Sequence, residues 1–517
     1  MLLIYPPTAR SSEPPLGIAR LAAFIERCGG EARCLDLCRE GIDYLLSLEP
    51  ELKDADTWTR RAMKGRRQSA QRLREIDTYR HLDRYSRAVS DLGRALRAVS
   101  KPYSVEASLA DYRDETRSPL RIADLKDSAT KYEENIFYPL FESRLYPALA
   151  GIGDGWVGIS ICFLSQALCA FALMGYVKSK RPDLRIAVGG GLVTSYSCVS
   201  GLDLHGLFPD LVDLAVVGPG EESLGKLCGA GRGGGAPSRD SPGIDLGGFQ
   251  LSKYSAPAMI LPYNFSWGCP WKNCAFCPEK AEDIPYRGLP APEAMAELEL
   301  LSSRYAPRLL HFTDNEVSPL YLSALAGHSR LANWYGFARF SHRLLDENFC
   351  RALASSGCVM LQLGLESGDQ KVLDAMGKGT KLEEIEAIFG NLKAVGIGTY
   401  IYVLFGTPAE GRDAALRTRD FVAANAEAID FLNVAVFNLP ASGEEAKGLA
   451  TKSFYEGELS LYRAFKHPAG WDRPLVRKFL SDDFEAEPRI KTVVARTPPV
   501  FTSNHAPFFL SGQRRIP

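Results

Sequence analysis

Short apolar runs recur along this chain, each ending in glycine, proline or a polar residue, and most are followed by a stretch at helical spacing. Strands joined by crossover helices must run parallel, with helices covering the sheet and ligands collecting beyond the carboxyl ends of the strands. The alternation predicts strands over residues 1–5, 32–37, 156–161, 185–188 and 214–217, with helices over 18–27 and 165–180. Pro6 and Pro7 stop the first strand, and Gly189, Gly190, Gly191 and Gly218 stop later ones. This is the pattern of an α/β, doubly wound Rossmann-like domain, expected over 1–228.

A glycine-rich stretch with Pro237 and Pro242 has the composition of a linker, expected over 229–252. Beyond it strands are expected at 261–266, 309–313, 334–340, 359–365, 398–405 and 431–437. Polar residues stand where they stop, among them Asp314, Glu366, Ser367, Thr407 and Asn438. That end of an α/β barrel builds the active site, so a partial (β/α) barrel is expected over 253–440. The remaining 441–517 is an aromatic-rich C-terminal extension, read as a lid, with His467 and His505 buried and satisfied by hydrogen bonds. A length of 517 residues fits two or three domains.

Residues 42–150 interrupt the first domain. Arginines are dense from Arg60 to Arg97, and Leu73, Ile76, Tyr79, Leu82, Tyr85, Val89, Leu92, Leu96 and Val99 recur at helical spacing. Asp77, Asp83 and Asp91 dilute the charge, which favours a solvated helical insertion over a nucleic-acid grip. The formal net charge of −1 gives no general attraction to nucleic acid or anionic membrane, and neither is expected as a partner. No apolar run is long enough to span a bilayer. Twelve cysteines without a signal-peptide pattern point to a reducing cytoplasm.

Three of those cysteines, Cys269, Cys274 and Cys277, share one short loop. Soft thiolates select iron–sulfur clusters or zinc. A structural zinc would want a fourth Cys or His close by, and none follows. Three thiolates can hold three irons of a four-iron cluster and leave the fourth open. Gly268, Pro270, Lys272, Asn273 and Pro278 mark the segment as an exposed loop rather than a packed element.

At this loop the chain resembles the radical S-adenosylmethionine (SAM) superfamily, whose usual spacing is C-x3-C-x2-C. Here it is C-x4-C-x2-C, one residue longer in the first gap. The resemblance implies a [4Fe-4S] cluster on Cys269, Cys274 and Cys277, with SAM chelated at the open iron and cleaved to a carbon radical. Phe276 stands where the family places a side chain beside adenine. Gly364–Gly368 is similar to the fourth-strand motif that contacts SAM, which implicates Glu366 and Ser367. Asp314-Asn315-Glu316 falls at the motif for the SAM amino group, with Asp314 the expected ammonium acceptor. Arg339 is expected to pair with the SAM carboxylate, and Tyr402 and Phe405 to pack on adenine.

The first domain resembles the cobalamin-binding domain that precedes the barrel in one large subgroup. The matching pieces are Tyr5-Pro6-Pro7, Pro14-Pro15-Leu16-Gly17, Gly158–Ser160, Gly189–Gly191 and Gly218-Pro219-Gly220-Glu221-Glu222. The resemblance implies that Ser160, Gly189, Gly190 and Gly218 face cobalamin, small so that a planar corrin or its tail can meet backbone. Asp36-Leu37-Cys38-Arg39-Glu40-Gly41 stands where mutase-type domains carry Asp-x-His-x-x-Gly. Cys38 replaces the histidine, so this motif offers cobalt no imidazole. A domain that binds no cofactor and only shapes a cleft is the alternative. A nicotinamide site is not expected, since the first strand opens into Pro-Pro rather than G-x-G-x-x-G.

These readings imply a cobalamin-dependent radical SAM methyltransferase acting on a small molecule or peptide, served by a reductant such as flavodoxin or ferredoxin. One SAM would supply the deoxyadenosyl radical and a second the methyl group. Without cobalamin, the enzyme would transfer the 3-amino-3-carboxypropyl group of SAM, or rearrange or cyclise its substrate. A non-enzymatic iron–sulfur sensor is a further alternative, disfavoured because a sensor needs no charged pocket for a zwitterion.

Overall fold

The computed structural model describes residues 1–153, 155–201, 203–227, 243–500 and 505–511. It divides into two compact units. One comprises Met1–Glu75, Tyr85–Met259 and Tyr455–Leu461, the other Ile76–Arg84, Ile260–Phe454 and Tyr462–Pro517.

The first unit is built on five parallel strands: β1 (Leu2–Tyr5), β2 (Arg33–Asp36), β3 (Trp156–Ser160), β4 (Arg185–Gly189) and β5 (Leu214–Ala215), in the order β2-β1-β3-β4-β5. The order reverses between β1 and β3, which opens a crevice beyond their carboxyl ends. Every residue of β1 is buried, as its unbroken apolar run requires in a sheet covered on both faces. The helix Ala167–Lys180 is buried at every position from Ala167 to Val177, which its all-round apolar composition also demands.

Within the insertion, the helix Leu82–Ser100 buries Tyr85, Val89, Leu92, Leu96 and Val99 and leaves Arg84, Arg87 and Arg97 exposed. A 3-10 turn at Ile76–Arg80 breaks the longer apolar repeat before it. A hairpin of Val105–Ala107 and Tyr112–Asp114 follows, too short for periodicity to register. Most of the glycine-rich linker, 229–242, lies outside the described residues. Its last part packs on the first unit, where Tyr254 donates to Asp36 at 2.7 Å.

The second unit carries six parallel strands: β6 (Ile260–Tyr263), β7 (Leu309–Phe312), β8 (Asn333–Ala338), β9 (Cys358–Glu366), β10 (Gly398–Phe405) and β11 (Phe431–Val436). Their spatial order follows the chain, as in a partial (β/α) barrel. One face carries polar aromatic layers, with His311 stacked on Tyr335 at 4.4 Å and Gln362 donating to Tyr402 at 3.0 Å. The other packs Tyr263, Phe265, Phe312 and Trp334 toward Tyr321 of the helix Pro319–Ala326.

In the C-terminal region, Leu439–Pro440, Tyr462–Phe465 and Thr451–Ser453 form a small antiparallel sheet. His467 is buried, with Nε2 bonded to the Thr407 carbonyl at 2.8 Å. His505 is buried and stacks on Tyr400, while residues 501–504 lie outside the described residues. Among the described residues no helix is long and apolar enough to cross a membrane.

Candidate active site

The cysteine loop leaves β6 through a short ladder in which Ser266–Trp267 pairs antiparallel with Arg287–Gly288. The longer first gap contains Trp271 and Lys272, the latter at φ +48° and paired with Asp283 at 2.5 Å. The loop lies along Met376-Gly377-Lys378, a segment that follows β9 and the helix Gln370–Ala375. Ala275 N–H donates to the Met376 carbonyl at 2.8 Å, and Trp271 Nε1–H to the Gly377 carbonyl at 2.9 Å. The Arg339 guanidinium sits over the Trp271 ring at 3.9 Å, a cation–π contact worth about 1–2 kcal/mol when partly desolvated.

Cys269, Cys274 and Cys277 are all half-buried. Burial raises the Cys274 thiol pKa, and the charges of Lys378 and Arg339 work against that rise. Cys277 is pushed up to about 11 by burial, with the N–H groups of Glu279 and Lys280 favouring its thiolate. Among the described residues no three Cys, His, Asp or Glu side chains are placed to hold a single metal ion. A four-iron cluster asks for less convergence, because each thiolate takes a different iron. The donor set, three thiols on a cation-flanked loop, therefore fits the cluster better than zinc.

Beside the loop stands a buried group of charges. Glu366 ends β9 at φ +63°, where the register with β10 shifts. A non-glycine residue held there costs about 1–3 kcal/mol, and such strain collects at functional sites. Its Oε1 pairs with Lys378 Nζ at 2.8 Å, both side chains being nearly excluded from solvent. Removing one partner of such a pair costs about 3–5 kcal/mol, because the other charge is left buried. Lys378 also stands over the Phe276 ring at 5.6 Å. Glu316, carried by the loop after β7, is buried 4.0 Å from Arg339.

Burial raises the Glu316 pKa, and Arg339 and Lys378 pull it back. Among the described residues its Oε2 has no hydrogen-bond partner, and neither do the buried Ser341 Oγ and Thr380 Oγ1. An orphaned buried carboxylate oxygen among fixed cations suits a zwitterionic ligand such as SAM.

Other residues expected to meet SAM have partners within the fold. Asp314 is 2% exposed, and its carboxylate accepts Phe265 N–H, Ser266 N–H and Ser266 Oγ–H at 2.6–3.0 Å. It anchors the chain leaving β6, and burial lifts its pKa to about 6. Ser367 is fully buried, its hydroxyl 3.1 Å from Thr418 Oγ1 and accepting from Asp369 N–H. Tyr402 and Phe405 are three residues apart on one strand and so face opposite ways. Tyr402 meets Phe337 at 5.2 Å, whereas Phe405 is buried against Phe479 and Phe484. The sequence assigns no role to Lys378 or Trp271 and includes Glu316 only within the Asp314–Glu316 run. The Gly-Lys-Gly flanking Lys378 was the one visible signal.

In the first unit, Cys38 is 1% exposed. Its Sγ accepts from Ala9 N–H and donates to the Ala9 carbonyl, both at 3.1 Å, which closes the turn after β1. Ser160 lies 3.6 Å from Cys162 Sγ, and Gly218 N–H donates to Thr194 Oγ1 at 3.0 Å. Gly190 has φ +103°, and a Cβ there would stand 2.5 Å from the Ile161 carbonyl oxygen. Its small size thus serves packing of chain on chain. Phe163, Leu164 and Val217, beyond the ends of β3 and β5, are exposed, and Arg10 stands over Phe163 at 5.8 Å. An apolar strand-end rim of this kind fits the face of a corrin.

Residues 263–422 match the radical SAM superfamily. The chain is 26% identical over 191 residues to an uncharacterized methyltransferase of Pyrococcus horikoshii, a match covering 35% of this chain and 40% of that one. It is 29% identical over 183 residues to bacteriochlorophyllide d C-12(1)-methyltransferase of Chlorobaculum tepidum, covering 34% and 39%. These matches span about two fifths of the curated relatives' length. Its fold is similar to that of the radical SAM methyltransferase TsrM of Kitasatospora setae. The structure of TsrM with cobalamin and a [4Fe-4S] cluster aligns at TM-score 0.53 and 14% identity, covering 89% of this chain and 84% of that one. The structure with tryptophan and a SAM analogue gives 0.57 at 14% identity, covering 95% and 89%. Residues 263–422 of the chain thus match a radical SAM domain.

Proposed function

We propose that this enzyme is a cobalamin-dependent methyltransferase acting on a small molecule or peptide. One observation carries the reading: a β2-β1-β3-β4-β5 sheet with an exposed apolar rim shares a chain with a barrel whose strand ends gather three thiols and buried charges of both signs. The likeness to TsrM over nearly the whole chain supports it, as does the methyltransferase activity named for both curated relatives.

When bound, the cluster, SAM and cobalamin would supply an electron, a carbon radical and a methyl carrier. Cys269, Cys274 and Cys277 hold the irons. Glu316 Oε2 takes the SAM ammonium in place of Asp314, and Arg339 neutralises its carboxylate from the face of Trp271. Phe276 offers a ring to adenine, and Glu366 accepts from ribose hydroxyls. Phe163, Leu164 and Val217 would cover the corrin face, while Cys38 is engaged by Ala9. Electrons come from a flavodoxin- or ferredoxin-type protein in a reducing cytoplasm.

The test is anaerobic reconstitution with iron, sulfide and hydroxocobalamin, followed by reductant, SAM and chromatography. The reading expects a stoichiometric corrin spectrum and SAM consumption to 5′-deoxyadenosine and S-adenosylhomocysteine, both lost in Cys269→Ala. Methylthioadenosine as the sole product would assign aminocarboxypropyl transfer instead. Absence of bound corrin would leave the first unit as scaffold. An assembled cluster that never turns over SAM would favour the sensor.

A further inference from the structure

The segment Met376-Gly377-Lys378 touches the cysteine loop at two points, Trp271 and Ala275. Next to these contacts it holds one buried cation. Lys378 is 7% exposed, and its ammonium lies over Phe276, the residue between Ala275 and Cys277. Gly364 leaves room for it, since a Cβ there would stand 2.6 Å from Nζ. Glu366, at 2.8 Å, fixes the ammonium in place and is the nearest opposing charge. No part of the SAM contacts described above requires a lysine here, and its stem is too enclosed to serve solubility.

We propose that Lys378 is a positioning residue whose buried ammonium eases one-electron reduction of the cluster on Cys269, Cys274 and Cys277. The inference rests on the cluster reading above. Three thiolates load the loop with negative charge, and the incoming electron adds another. In a region shielded from water a fixed cation nearby lowers the energy of the reduced state more than that of the oxidised state. The step forms and breaks no bond: the cluster gains one electron and an acidic one-electron carrier protein loses it. Glu366 has the opposite effect, so the pair sets a balance that each partner shifts in its own direction.

The experiment is an anaerobic redox titration of reconstituted full-length protein without SAM, followed by electron paramagnetic resonance of the reduced cluster. Lys378→Gln is expected to lower the reduced-to-oxidised ratio at a fixed potential by about tenfold, equal to about 59 mV for one electron. Lys378→Arg should stay near the parent, and Glu366→Gln should shift the ratio upward. Lys378→Met/Glu366→Gln, which leaves no unpaired charge, should fall between the two single variants. Should Lys378→Gln fail to assemble a cluster, the arginine variant, Glu366→Gln and the double variant still decide the sign. Equal ratios in all variants with full iron content, or shifts of one sign for Lys378→Gln and Glu366→Gln alike, would overturn the inference. A parent protein that holds no cluster would instead overturn the reading on which it rests.

Discussion

The two parallel sheets end in opposite ways. Beyond β1, β2 and β4 of the first unit, groups at the strand ends are engaged by the chain itself: Cys38 by Ala9, Asp36 by Tyr254 and Arg39 N–H, Gly190 by close packing on Ile161. Beyond β3 and β5, Phe163, Leu164 and Val217 are left exposed. Beyond β7, β8 and β9 of the second unit, Glu316, Arg339, Glu366 and Lys378 are buried together, and one carboxylate oxygen is left without a hydrogen bond. The same rule, ligands at carboxyl ends of parallel strands, thus yields a rim suited to a large flat molecule in one unit and to a small zwitterion in the other.

Cysteine replacement should divide the units most sharply. Cys269→Ala, Cys274→Ala or Cys277→Ala is expected to lose the cluster and at least about a thousandfold of SAM turnover, an amount that would take more than 4 kcal/mol of transition-state stabilisation to restore. Cys38→Ala should cost folding stability of about 1–3 kcal/mol through the two unpaired Ala9 groups and leave iron content unchanged. Iron and sulfide assays beside denaturant melts check both. Iron loss in Cys38→Ala would break the contrast.

Carboxylate replacement sharpens it next. Glu316→Gln should weaken SAM binding by roughly tenfold or more, the value of a charge-assisted bond of about 1.5–3 kcal/mol, with little change in stability. Asp314→Asn should do the reverse, because an amide cannot accept all three bonds that anchor the chain after β6. Equilibrium dialysis with SAM and thermal melts separate the two. Equal losses of SAM affinity would return Asp314 to the ammonium site.

The smallest effect is a pH slope. Asp314 titrates near 6 in the fold, against about 3.8 when unfolded, because burial disfavours its charge. The folded state therefore holds the proton more tightly. Its stabilising contribution is complete below about pH 4 and is lost as pH rises through 6, by at most about 3 kcal/mol. Asp314→Asn should flatten that fall in denaturant melts across pH 4–6. Asp36, also raised by burial, should contribute a second slope of the same sign that survives in the Asp314→Asn variant.

Burial explains which site residues could be read in advance. A local spacing or strand-end motif carries Cys269, Cys274, Cys277, Phe276 and Glu366 as candidates. Asp314 and Glu316 were seen as one run, yet the nearer carboxylate was chosen. Backbone N–H groups 49 and 48 residues away in sequence bind Asp314, and only the fold brings Phe265 and Ser266 to it. Strand parity, which the sequence itself supplies, turns Phe405 away from Tyr402 and toward Phe479 and Phe484.

The sequence alone determined two parallel sheets, because apolar runs separated by helical stretches have no other way to bury both faces of every strand. It also determined the thiol loop, whose ligands lie within a few residues of one another. Tertiary structure decided which charges neighbour that loop. Lys378 is about a hundred residues away along the chain, and Glu316 and Arg339 follow separate strands. Electrostatic partners are chosen by distance in space, and no local pattern encodes that distance.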